Sequence, residues 1–329
     1  MAGLVGPSMV RTKASKTTNA IIQWLMGAVL AAQAAPGVSH AEIVAAMPSK
    51  AVLVTGANSG IGRKITERLA ADGYVVYATA RKEEDLEALN RIKNVQAMRL
   101  DVTQPASIAA AVDTINRAGR GLYGLVNNAG VATVGSIADM SLEEFDLVMA
   151  VNASGPIRMI KAFEPLLIAQ KGRIVNIGSI SGILATPRLA GYSMSKHAIE
   201  ALTDSASAQL APLGVQVSVV EPGNYESNII RNAIARGRMD AKTVQSLEAD
   251  TATYKQPDEV AAAVEHALFD AHPKRRYMVV PDQREADLTI RKQIEQLVQL
   301  NEDQPYSYDR ATLVKMLDEA LAGARQRTK

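Results

Sequence analysis

The chain of 329 residues has no cysteine, which excludes disulfides, thiolate catalysis and cysteine-ligated metal. Its four histidines, His40, His197, His266 and His272, show no spacing such as H-x-x-x-H, so no metal site is expected. Net charge is nearly absent too, at +2, and gives no electrostatic case for a nucleic-acid partner. The basic triplet Lys274, Arg275 and Arg276 reads as a solvated edge ahead of a strand. The apolar run from Ala20 to Ala32 is too short, and too interrupted by Gln23 and Gln33, to span a bilayer, so stable membrane insertion is not expected.

That run carries a second reading. Arg11, Lys13 and Lys16 precede it and Ala32-Gln33-Ala34 follows it, the layout of a secretory signal. Against export, "MPSKAVLVTG" from Met47 looks like the natural beginning of a cytosolic domain, and there is no twin-arginine pair. Residues 1–46 are set outside the fold as a leader. The expected location is cytoplasmic, with export the alternative if residues 1–34 act as a signal.

What the chain has, from Ala51 onward, is alternation. Short apolar runs at 51–55, 74–80, 95–100, 122–130, 173–179, 215–223 and 275–280 are separated by helix-length segments, two of them long, at 141–168 and 190–212. That order predicts βαβ units and a parallel sheet covered on both faces. The fold class expected is α/β: a single doubly wound Rossmann-type domain over 47–283, with a mostly parallel seven-stranded sheet. A helical carboxy-terminal extension follows over 284–329.

The first run ends in "TGANSGIGRKI", with Gly56, Gly60 and Gly62 between strand and helix. Glycines there let the backbone approach a pyrophosphate, and a helix starting near Ile61 points free N–H groups and its positive end at that anion. The second strand ends "ATARKEED". A carboxylate would be expected there for a ribose 2′-hydroxyl. Ala80 stands in its place and Arg81 and Lys82 follow, a pattern suited to a 2′-phosphate. The cofactor inferred is NADP rather than NAD.

Over residues 51–282 the sequence resembles the short-chain dehydrogenase/reductase family. "TGANSGIG" resembles its cofactor loop, implying contacts from Thr55, Gly56, Asn58, Ser59, Gly60, Ile61 and Gly62. Asp101 and Val102 match the adenine contact, and "NNAG" with Asn128, Ala129 and Gly130 the motif beside the cofactor. Asn152 in "VNASG" matches the active-site asparagine. Ser179, then Tyr192 and Lys196 in Y-x-x-x-K, match the catalytic residues. Pro222, Gly223 and Ser227 match the turn beside the nicotinamide. The spacing in "GSISG", with Gly178 where many members have serine, is closest to 17β-hydroxysteroid and retinol dehydrogenases. The resemblance implies a homodimer or homotetramer.

The chemistry expected is hydride transfer between nicotinamide and a carbinol or carbonyl carbon. Tyr192 is the acid/base. A free phenol has a pKa of about 10, and an ammonium one helical turn along, at Lys196, lowers it. Ser179 would hold the substrate oxygen. By the resemblance, Lys196 also holds the nicotinamide ribose and Asn152 anchors a water relay. The segment 225–250 is the expected lid, with Tyr225, Ile229, Ile230, Ile234 and Met239; Ile183, Leu184 and Met194 flank the catalytic residues. Apolar walls suit a lipophilic alcohol or ketone. Two rivals stand: a non-catalytic NADP-binding sensor or scaffold, and an acyl-thioester ketoreductase using Arg231, Arg236 and Arg238.

Overall fold

The computed structural model describes residues 50–236 and 239–327; the leader at 1–46 and Arg238 lie outside them. Seven short apolar segments form one sheet: β1 (Ala51–Val54), β2 (Val75–Ala80), β3 (Val95–Arg99), β4 (Gly124–Asn127), β5 (Arg173–Ile177), β6 (Gln216–Pro222) and β7 (Arg276–Val279). Every pairing is parallel, in the order β3-β2-β1-β4-β5-β6-β7. The central strands β1 and β4 are buried along their whole length, which is why they read as unbroken apolar runs. The order reverses between β1 and β4, and such a reversal opens a crevice at the carboxyl ends of the strands.

Helices cover both faces. On one, α1 (Gly60–Ala71), α2 (Glu83–Asn90) and α9 (Asp258–Phe269) bury Ile65, Leu69, Leu89, Val264 and Leu268 against Val52, Val54 and Val76. On the other, α3 (Pro105–Ala118), α5 (Gly155–Ala169) and α6 (Ala190–Leu210) bury Ile115, Phe163, Leu167 and Leu210 against Leu53, Tyr77 and Leu125. Two lid helices, α7 (Ile229–Arg236) and α8 (Ala241–Thr251), follow β6, and α10 (Gln283–Asn301) and α11 (Arg310–Arg327) close the chain.

The helix expected over 141–168 is divided. A first helix, α4 (Leu142–Met149), runs into a π turn at Ala150–Ser154 before α5 begins. Single π turns inside helices re-aim side chains and concentrate at functional sites; this one carries Asn152. The run at 122–130 pairs only over Gly124–Asn127, because Asn128 N turns back to Val126 O at 3.1 Å. Among the described residues no helix is long and apolar enough to cross a membrane.

Candidate active site

A cavity of about 960 Å³ lies along the carboxyl edge of the sheet. At one end are Gly56, Asn58, Ser59, Gly60, Ile61 and Gly62, with Arg81, Asp101 and Val102. Asn128, Ala129 and Gly130 line the middle. Ser179, Tyr192, Lys196, Pro222 and Gly223 line the other end, and Ser227 stands against Gly60. Thr55 and Asn152 lie behind the wall, both buried.

Thr55 is the knot of the first end. Its hydroxyl donates to Val126 O at 3.2 Å and accepts from Asn128 N at 2.9 Å and Ala129 N at 3.0 Å. Asn128 returns the tie, its Nδ2 donating to Thr55 O at 2.8 Å and Gly56 O at 3.0 Å. These contacts explain the glycines. Gly56 has φ +63°, and a Cβ on it would sit 2.9 Å from Ala129 Cα. A Cβ on Gly62 would overlap Asn128 Nδ2 and the Gly56 carbonyl oxygen. Gly60, at φ +52°, faces Ser227 Cβ at 3.0 Å. What these missing side chains make room for is therefore the "NNAG" turn and Ser227, as well as any ligand.

Helix α1 starts at this turn with Ser59 in an extended conformation, no side-chain cap and no acidic residue in its first turn. Its leading N–H groups and positive dipole end are left to an anion in the cavity. At the same end Asp101 Oδ1 accepts from Thr103 N at 2.8 Å and Thr103 Oγ1 at 2.7 Å. Burial pushes the Asp101 carboxyl up, but those bonds and the positive charge of Arg81 outweigh it and leave its pKa below the ordinary value. Asp85 also lines this end, and its Oδ2 accepts from Asn58 Nδ2 at 3.2 Å. An uncapped helix start, a glycine turn and an elongated cavity fit a dinucleotide.

At the other end Tyr192 and Lys196 stand one turn apart on α6, and Ser179 caps the short 3₁₀ turn after β5. The Ser179 hydroxyl donates to Pro222 O at 3.4 Å and accepts from Ser181 N at 3.0 Å. Lys196 Nζ donates to Ile177 O at 2.8 Å and lies 5.6 Å from the centroid of the Tyr192 ring. The expectation that the ammonium lowers the phenol's pKa is not met in this state. Burial pushes Tyr192 up to about 12, and it is the Ser179 hydroxyl that pulls the other way. The ammonium is engaged by a carbonyl and is itself destabilised: burial brings Lys196 down to about 8, against the charge of Glu200.

Asn152 is occupied structurally. Its Oδ1 accepts from Val131 N at 2.9 Å, and its Nδ2 donates to Val131 O at 2.8 Å and Ser195 Oγ at 3.0 Å. Ser195 Oγ in turn donates to Tyr192 O at 2.7 Å. Asn152 thus ties the loop after β4 to the backbone of Tyr192, through a serine the sequence did not single out. Both amide hydrogens are used within the protein, so a water relay has only the remaining carbonyl lone pair to hold.

Over the site, Ala132, Val134 and Ala233 form an apolar cluster with Leu189, Tyr192, Ile229, Ile230, Met239 and Leu247. Leu184 lines the cavity, whereas Ile183 does not, Ile234 lies behind the lid, and Met194 is 53% exposed. Arg236 lines the cavity with Nη2 donating to Ala132 O at 2.8 Å, and Arg231 lies behind the lid with Ile234. A residue that no sequence signal marked reaches in from α10: Glu285 accepts from Asn224 N at 3.0 Å and Asn224 Nδ2 at 2.7 Å. Among the described residues no group of acidic or histidine side chains could hold a metal.

Comparison with known proteins supports the family and the fold. The family model described as "short chain dehydrogenase" matches residues 50–238. The chain is 33% identical over 272 residues to a mitochondrial D-beta-hydroxybutyrate dehydrogenase of Mus musculus, covering 73% of this chain and 79% of that one. It is 33% identical to retinol dehydrogenase 5 of Mus musculus, over 69% of this chain and 79% of that one. A short-chain dehydrogenase/reductase from Burkholderia phymatum, solved with NAD, superposes with a TM-score of 0.68 at 25% identity, over 79% of this chain and 98% of that one. A metagenomic short-chain oxidoreductase solved with NADP gives 0.58 at 30% identity, over 71% and 97%.

Proposed function

The chain belongs to the short-chain dehydrogenase family of nicotinamide-dependent oxidoreductases, and on that premise we propose that it reduces lipophilic ketones, or oxidises the matching alcohols, with NADP and with Tyr192 as acid/base. The observation that carries this reading is the convergence of Ser179, Tyr192 and Lys196 at one end of a cavity whose other end is an uncapped helix start.

When bound, the nicotinamide supplies or accepts the hydride. The protein's part is the proton and the developing charge on oxygen. A phenol near 12 is protonated throughout the neutral range, so Tyr192 stands ready to give its proton to a carbonyl oxygen. Ser179 donates a second hydrogen bond to that oxygen and stabilises charge building there. In the oxidising direction Tyr192 must first ionise, and the ammonium of Lys196 favours the phenolate. Asn152 and Ser195 hold the backbone on which Tyr192 rides.

Arg81 lines the dinucleotide end of the cavity, where its guanidinium suits a 2′-phosphate. The apolar cluster beneath the lid supports a lipophilic substrate, as does the likeness to retinol dehydrogenase 5. The catalytic unit proposed spans 47–283, with 284–329 as an extension, and the assembly is a homodimer or homotetramer. A panel of hydrophobic ketones and alcohols, followed at the nicotinamide absorbance with each cofactor, tests the reading. NADPH is expected to outperform NADH at least ~10-fold in kcat/KM, with Arg81→Ala removing about 1–2 kcal/mol of that preference. An equal or better rate with NADH overturns the cofactor assignment, and no turnover with any member overturns the substrate class.

A further inference from the structure

Behind the catalytic face of α6 lies a buried carboxyl pair that the reaction described above does not use. Glu200 follows Lys196 by one helical turn, as Lys196 follows Tyr192, so all three share one face. Its carboxyl group fills space kept open by glycines. A Cβ on Gly178 would lie 3.1 Å from Glu200 Oε1, and one on Gly182 3.2 Å from the same atom. Facing it is Glu221, the strand residue before Pro222, only 2% exposed.

Glu200 Oε1 and Glu221 Oε1 are both buried without a hydrogen-bond partner among the described residues, and the two carboxyl groups are brought together by one guanidinium nitrogen, Arg276 Nε, which reaches both side chains. Two carboxyl groups hydrogen-bond only when one carries a proton. The other charges around them are few. From β7, Arg276 Nε reaches Glu200 Oε2 at 3.1 Å and Glu221 Oε1 at 3.6 Å, and its Nη1 and Nη2 donate to Asp204 at 3.0 and 2.8 Å. Arg275 reaches Asp204 at 3.9 Å, and Lys196 stands one helical turn before Glu200. With a single proton shared by the pair, the charges of Lys196, Arg276, Asp204 and the pair cancel, and Arg275, at the outer edge beside Asp204, adds one positive charge.

We propose that Glu200 and Glu221 are a proton-sharing pair of positioning residues that act through Lys196, holding its ammonium charged as the medium turns alkaline. The proposal rests on the reading of Lys196 as a site residue. Burial drives Lys196 to discharge, and the negative charge of Glu200 opposes it. Burial, with the charge of Glu200 beside it, raises Glu221 well above the ordinary carboxyl range, while burial lowers Lys196, so the two titrations approach each other. While the proton is shared the pair carries one negative charge. When it leaves on the alkaline side the pair carries two, one helical turn from the buried Lys196. The second charge resists loss of the lysine's own proton.

The variants Glu221→Gln and Glu200→Gln keep the shape of the pair but limit its charge. The titration of Lys196, read by ¹⁵Nζ NMR and assigned by its disappearance in Lys196→Met, is expected to fall by about one pH unit in either variant. The alkaline limb of the kcat/KM profile is expected to move down with it, while melting temperatures hold. A lysine midpoint unmoved in folded Glu221→Gln overturns the proposal, whether or not Glu200→Gln folds. A midpoint that falls while the kinetic limb stays put upholds the pair's action on Lys196 and overturns instead the place given to Lys196 in turnover.

Discussion

The turn after β1 is held by Thr55, whose hydroxyl bonds backbone groups of Val126, Asn128 and Ala129, whereas the lid helices α7 and α8 bury Ala233 and no other residue. Both border the same cavity. One wall is fixed by buried hydrogen bonds and by glycines whose missing Cβ atoms leave no slack. The other is two exposed helices resting on a small apolar cluster. The contrast teaches where each kind of requirement is met. A dinucleotide is always the same shape, so its wall can be rigid. Substrates differ, and a wall with little buried area can change its residues at small cost to folding.

Tyr192 sits where the two walls meet, so its replacement is expected to have the largest effect. Tyr192→Phe should lower kcat about 10³-fold and leave cofactor affinity, read by fluorescence titration, nearly unchanged; retained turnover would sink the acid/base assignment. On the rigid wall, Gly62→Ala drives a methyl into Asn128 Nδ2 and the Gly56 carbonyl. It should cost about 2–3 kcal/mol by denaturant midpoint and weaken cofactor binding at least ~10-fold, the misplaced helix start losing its grip on the anion. Thr55→Val leaves Asn128 N and Ala129 N without their acceptor, for a loss of about 1–3 kcal/mol. On the lid, Ile230→Ala should change stability by less than ~1 kcal/mol while shifting KM among substrates of different bulk. A lid variant as destabilising as Gly62→Ala would erase the contrast.

The rigid wall was also the more legible one. Its strands are buried on both faces and so read as continuous apolar runs, and its glycines are dictated by local backbone geometry that leaves a mark in sequence. Side-chain direction was harder. Met194 was expected beside the catalytic residues, but it stands two positions from Tyr192, about 200° around the helix, and faces outward. The π turn at Ala150–Ser154 left no signal, because its residues suit an ordinary helix equally well. Ser195 was hidden within Y-x-x-x-K, between the residues that drew attention. Glu200 could have been found by extending the same four-residue step once more. The lowered phenol pKa was inferred from spacing alone, and spacing carries no information on burial, which raises the phenol here against the pull of the Ser179 hydroxyl.

Glu285 reaches 61 residues back along the chain to grip Asn224, just after the Pro222-Gly223 turn. A shortened protein ending after β7 would keep its full sheet and the bond from Gly223 N to Val279 O, yet Asn224 just beyond that turn would lose both of its contacts to Glu285. Anyone trimming this chain for crystals or display should therefore cut beyond the first turn of α10, and should expect sluggish turnover, rather than misfolding, as the sign of having cut too early.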